Sequence, residues 1–193
     1  MKKIFYCLLL INFQSLSAQD LEWFEGSLVL ANGQVSVGKI AMEAAHDLIV
    51  FQGEQRMVYP AHQINSIHFY DEKADINRRY ISLKNDGDGI RPRYQLYELV
   101  LSGKATVLRK IKASPFAIRS DAHDFNYFVQ YDQEVVPLRQ FQKKILPKLL
   151  SVSDYRLENY ISQHRLTPQP ISAIRIIEFF NALVESNEQL ARN

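Results

Sequence analysis

Short apolar runs and alternating apolar and polar positions dominate the first two-thirds of the chain. Gly26-Ser27-Leu28-Val29-Leu30-Ala31 runs into Asn32-Gly33. Both of those residues tolerate positive φ, which makes the pair a strong hairpin signal. Val35, Val37 and Lys39-Ile40 continue on the far side. Leu48-Ile49-Val50-Phe51 is closed by Gly53, Met57-Val58-Tyr59 precedes Pro60, and Ile64 to Tyr70 is rich in β-formers. Tyr80-Ile81-Ser82-Leu83 follows a charged stretch, and Tyr94 to Leu101 and Ala105 to Ile111 flank Ser102-Gly103-Lys104, a second tight hairpin. Tyr127 to Tyr131 and Val135-Val136 complete the series. Strands this short, so spaced, predict an antiparallel meander, roll or small barrel.

The period changes near Pro137, a residue suited to a first helical turn. Leu138, Phe141, Ile145 and Leu149 recur at helical spacing, with Pro147 expected to kink or end that helix. Leu157, Tyr160 and Ile161 mark a second short amphipathic helix. A third runs from Ile171 to Glu185, with Ile174, Ile177, Phe180 and Val184 on one face. Ile176, Phe179 and Leu183 widen that stripe, so the helix is expected to pack on the β-domain or on its neighbouring helices. The fold class is therefore α+β: an antiparallel β-rich domain over 19–136 followed by a C-terminal helical segment over 137–193.

The first 18 residues follow a different logic. Lys2 and Lys3 precede a mostly apolar stretch from Ile4 to Phe13, and Ser15, Ser17 and Ala18 are small. An apolar stretch of this length falls short of the ~20 residues that cross a bilayer but suits the core of a signal peptide. Residues 1–18 are thus expected to be a cleaved leader, cut after Ala18 or after Ser17, which sends the protein to the periplasm or the medium. A lipid anchor would need cysteine at the cleavage point, whereas the single cysteine, Cys7, lies within the apolar core. No later apolar run reaches spanning length, so no transmembrane segment is expected in the mature chain.

Charge changes with the leader. The chain has 23 Lys and Arg against 21 Asp and Glu; the leader holds two lysines and no acid, so the remainder is balanced. A balanced, exported chain gives no electrostatic case for a nucleic-acid partner. Without Cys7 it can form neither a disulfide nor a thiolate metal site, and its stability must come from an apolar core.

Two resemblances bear on the layout. Val29-Leu30-Ala31-Asn32-Gly33, Gly38-Lys39-Ile40, Leu48-Ile49-Val50, Met57-Val58-Tyr59 and Ile64-Asn65-Ser66-Ile67 give residues 28–71 a pattern that resembles an Sm-like small barrel. Where bacterial members of that group carry an RNA-binding Tyr-Lys-His segment, this chain has Tyr59-Pro60-Ala61-His62, without the lysine. The resemblance implies strongly bent strands and no RNA-binding function. More broadly, Gly26 to Gly33, Ile64 to Asp71, Tyr97-Glu98-Leu99-Val100-Leu101-Ser102-Gly103 and the helix entering Phe179-Phe180-Asn181 resemble uncharacterised exported β-rich proteins of gliding and gut Gram-negative bacteria. That likeness implies a compartment and a layout but no activity.

No nucleophile elbow, His-Glu-x-x-His helix or phosphate-binding glycine loop occurs. His62 and His68 would share a face of a continuous strand but lie six steps of about 3.3 Å apart, too far to share a metal. His46, His123 and His164 complete the histidines. Asn85-Asp86-Gly87-Asp88-Gly89 fails as an EF-hand loop, because Lys84 stands where an oxygen ligand is needed and Gln95 where a bidentate Glu is needed. It fits a turn instead. Asp71-Glu72-Lys73-Ala74-Asp75 with Arg78-Arg79 is expected to be a solvated loop. Glu98, within an apolar strand, is expected to face water or pair with an arginine, and Asp71 with Glu98 is one carboxylate pair a glycosidase could use if the two converged.

No catalytic, cofactor-binding or metal-binding residue is assigned, and no cofactor is expected. The expected function is a non-catalytic cell-envelope or secreted module for protein interaction or structure, with a protein partner in the envelope. The alternative is an envelope hydrolase or carbohydrate-binding protein, its site assembled from dispersed Tyr, Asp, Glu and His residues.

Overall fold

Asn32-Gly33 does close a hairpin, but Gly33 alone of the pair takes positive φ (87°), within a loop over Ala31–Gln34. The Asn32 side chain accepts from the Gln34 N–H at 3.0 Å and fixes that loop. The computed structural model describes residues 21–43, 47–85, 93–111, 125–167 and 169–192. The expected leader, His46, His123 and Asp86-Gly87-Asp88-Gly89 lie outside them.

Ten strands follow in order: β1 (Trp23–Leu30), β2 (Val35–Glu43), β3 (Leu48–Gln52), β4 (Arg56–Pro60), β5 (Ile64–Asp71), β6 (Ile76–Asn85), β7 (Arg93–Leu101), β8 (Thr106–Ile111), β9 (Phe125–Tyr131) and β10 (Glu134–Pro137). All pair antiparallel in one sheet of order β10-β9-β8-β7-β6-β5-β1-β2-β3-β4. The chain thus meanders outward from β1 to β4. It makes a 3₁₀ turn at Ala61–Gln63, returns to pair β5 with the free side of β1, and meanders on to β10.

Residues opposite each other across strands share a face, as do residues two apart along a strand. Followed through the register, Leu28, Ile40, Phe51, Ile67 and Phe69 share one face of the sheet with Val107, Val129 and Val136. That face builds two cores. At the β1–β5 end the sheet curls over itself and buries Leu28, Ile40, Ile49, Phe51, Ile67, Phe69 and Leu96. The curl brings the β2–β3 corner back to β7, where Asp47 accepts from the Leu96 N–H at 3.0 Å. It needs Gly26 and Gly38, which face each other across β1 and β2. A Cβ there would lie 2.3 Å from the His68 carbonyl oxygen and 2.6 Å from that of Gln52, respectively.

At the other end, helices cover the same face: α1 (Phe141–Lys144), α2 (Leu146–Val152), α3 (Tyr155–Gln163) and α4 (Pro170–Arg192). Phe141, Ile145, Leu149, Leu157, Ala173, Ile176, Ile177 and Phe180 pack with Val107, Val129, Tyr131 and Val136. Pro147 breaks the first helical run as expected, sitting in the first turn of α2. Pro137, expected to open a helix, instead ends β10 opposite Phe128, where an edge strand tolerates its missing N–H. α4 outruns the predicted Glu185, and its residues from Glu185 to Arg192 are exposed. Among the described residues no helix is long and apolar enough to cross a membrane.

One polar contact fixes α4 on the sheet. The Asn181 side chain accepts from the Ala105 N–H at 2.9 Å and donates to the Ala105 carbonyl at 2.8 Å, acting as a strand partner for that residue. Gly103 makes room, since a Cβ there would lie 2.3 Å from Asn181 Nδ2. Asn181→Ala would leave both main-chain groups of a fully buried residue unpaired. The expected loss is about 2 kcal/mol of unfolding free energy, measurable by urea titration with m unchanged.

Candidate functional site

The register that joins the two cores also lines up charge between them. Phe69 faces Arg78, Tyr80 faces Glu98, and Glu98 faces Arg109, so Arg78, Glu98 and Arg109 stand on one face with Asp71 at the end of β5. Glu98 is 5% exposed. Its Oε1 accepts from Arg78 Nη1 and Arg109 Nη2, both at 2.7 Å. Its Oε2 accepts from Arg109 Nε at 2.7 Å and from the Tyr80 hydroxyl at 3.4 Å. Arg78 Nε reaches Asp71 Oδ2 at 2.7 Å, and Asp71 Oδ1 accepts from the Ala74 N–H at 3.1 Å. The result is a four-membered ladder, Asp71–Arg78–Glu98–Arg109, with two charges of each sign.

The surroundings set the protonation states. Burial raises the Asp71 carboxyl, but the Arg78 guanidinium and the N–H groups of Ala74 and Lys73 outweigh it and hold the group below its ordinary value. Burial and then the Glu98 charge push the Tyr80 phenol well above its ordinary value, so it stays a donor. The Glu98 hydrogen bonds chiefly hold Arg109 as a cation, and its guanidinium carbon lies 4.2 Å from the Phe125 ring centroid. A carboxyl whose folded pKa is depressed adds stability that is complete above its unfolded pKa and lost as pH falls through the folded value. Asp71 should therefore contribute fully at neutral pH and progressively less below about pH 4. In urea titrations from pH 7 to pH 2, Asp71→Asn should be less stable at pH 7 and show a shallower acid decline than wild type.

Asp71, Arg78 and Glu98 of the ladder floor a cleft of about 250 Å³ that Glu22, Phe24, Met42, Phe69, Tyr80, Ile111 and Phe125 also line. Phe24 stacks on Phe69 at 4.4 Å, and Phe69 on Tyr80 at 5.8 Å. No protein-family profile, curated protein or solved structure matches the chain. The case for a site therefore rests on its own geometry.

That geometry brings Asp71 and Glu98 onto one guanidinium, a convergence the sequence left open, and gives Glu98 its arginine partners. It corrects the solvated-loop expectation for Asp71 and Arg78. Asp71 is buried at the strand end and Arg78 lies within β6; Glu72 and Asp75 stay exposed in the turn. His62 and His68 do not share a strand: His62 sits in the 3₁₀ turn and His68 is exposed in β5. His164 Nδ1 lies 3.0 Å from the Tyr160 carbonyl oxygen. Among the described residues no three His, Cys, Asp or Glu side chains gather as metal ligands would.

Asp47 went unnoticed in the sequence. It turns the chain between β2 and β3 at φ 54° and is 6% exposed. Its Oδ1 accepts from Lys110 Nζ at 2.6 Å as well as from Leu96 N. The β7–β8 ladder begins at Glu98–Arg109, and the Asp47 carboxylate ties the two strands beyond that point. An aspartate in a turn is too common for sequence to single out.

Proposed function

We propose that the protein is an exported, non-catalytic module of the cell envelope that works by binding, through a protein partner or within a surface assembly. The observation that carries this reading is the saturation of Glu98. All four of its acceptor positions are taken by two guanidiniums and a phenol, and Asp71 is held as a carboxylate by Arg78. A hydrolase built on two carboxylates needs one of them free to carry a proton. Here both are engaged in holding the sheet together.

The leader supports export. The partner reading draws on β4, which among the described residues has a strand neighbour on one side only and exposes Met57 and Val58. An exposed apolar edge is a ready template for pairing with another chain. Cross-linking the tagged full-length protein in its native envelope, followed by mass spectrometry, tests the proposal. A single protein captured reproducibly by wild type and lost with Val58→Glu is the expected result. Capture of none would count against a protein partner.

A further inference from the structure

The ladder carries more donors than its acceptors can use. Glu98 is filled by four donors, and Asp71 already accepts from Arg78 and Ala74. Each guanidinium has five N–H groups. The ladder's carboxylates engage Nε and one Nη1 hydrogen of Arg78, which leaves three of its N–H groups over; Arg109 gives Nε and one Nη2 hydrogen to Glu98 and also hydrogen-bonds the Tyr127 side chain. The Arg78 side chain lines the cleft and is 18% exposed there. It is pre-oriented by Asp71 and Glu98, so presenting its remaining donors requires little rearrangement.

Three constraints then fix the ligand class. Spare donors call for acceptor oxygens. The apolar walls from Phe24, Met42, Ile111 and Phe125 call for a face of C–H groups. Asp71 and Glu98 are balanced by Arg78 and Arg109, and Glu22 by Lys73 at 2.7 Å, which leaves no net charge to neutralise an ionic ligand, whose desolvation would go uncompensated. At about 250 Å³ the cleft is smaller than the roughly 300–1,000 Å³ that holds a drug-sized molecule and suits a single ring. We propose that this cleft binds one neutral pyranose ring of a glycan, with its C–H face on the apolar wall and its hydroxyl oxygens accepting from Arg78. The inference rests on the non-catalytic reading, in that the sugar is held and not cleaved.

Calorimetric titration of the protein with cellobiose, maltose and diacetylchitobiose, beside glucuronate and glucosamine as charged probes, tests it. Saturable binding of at least one neutral disaccharide is expected, with the charged sugars failing to compete. Met42→Trp fills the wall without touching the ladder and should abolish binding at an unchanged melting temperature. Arg78→Lys keeps the charge but loses the fork, and should weaken binding on the order of tenfold; it decides the matter if Met42→Trp proves unstable. Binding of none of the neutral sugars, or of charged ones only, would overturn the proposal, as would binding unchanged in both variants. Chromatography of the same samples separates the two readings: cleaved sugar would refute the non-catalytic reading while leaving the binding site standing.

Discussion

Replacing Glu98 with alanine is expected to cost about 3–5 kcal/mol of unfolding free energy, a large share of the roughly 5–15 kcal/mol that holds a domain folded. The substitution removes the common acceptor of Arg78 and Arg109 and leaves two largely buried guanidiniums facing each other. The cost thus arises from stranded charge more than from lost attraction, which gives the prediction a second arm. Replacing Glu98, Arg78 and Arg109 together by leucine and two methionines removes the stranded charges, and should recover most of the loss, to within about 1–2 kcal/mol of wild type. Asp71 then loses its partner and accounts for part of the remainder. Urea titration of wild type, the single variant and the triple variant measures both arms.

Phe180→Ala is expected to be comparably severe, at about 3–5 kcal/mol. Phe180 is fully buried in the helical core and packs edge-on against Tyr131 with ring centroids 6.0 Å apart. The site is held by α4 on one side and by the β8–β10 strands on the other, so the vacated volume has little freedom to collapse. Its neighbour Asn181 anchors α4 to Ala105, and loss of the ring should weaken that anchor too. A thermal melt of Phe180→Ala should be lower than that of Asn181→Ala, because a cavity of this size outweighs two unpaired main-chain groups.

The strands and helices were largely legible in the sequence because hairpin chemistry and apolar period are local. Asn32-Gly33, Ser102-Gly103 and the stripe from Ile174 to Val184 each announce an element without help from the rest of the chain. The site was not legible, for a physical reason. Glu98 sits in β7 between Tyr97 and Leu99, and both faces of that strand carry apolar residues. Which face turns inward depends on the curl of the sheet, set by the return of β5 to β1 and by close approach at Gly26 and Gly38. Asp71 and Arg78 looked solvated because charged residues beside a turn usually are. Only the register that places Arg78 next to Glu98 brings them inside. The pairing of Asn181 with Ala105 is equally non-local, although Ser102-Gly103 and Phe180-Asn181 are each visible as short motifs.

If Glu98 serves only to hold the sheet together, its carboxylate is dispensable for any reaction on envelope material. Native envelope material can be incubated with wild-type protein and with Glu98→Gln, below the variant's melting temperature, and the soluble products compared by mass spectrometry. The same product profile is expected from both, matching material with no protein added. A product released by wild type and absent with Glu98→Gln would contradict it and make Glu98 a catalytic residue.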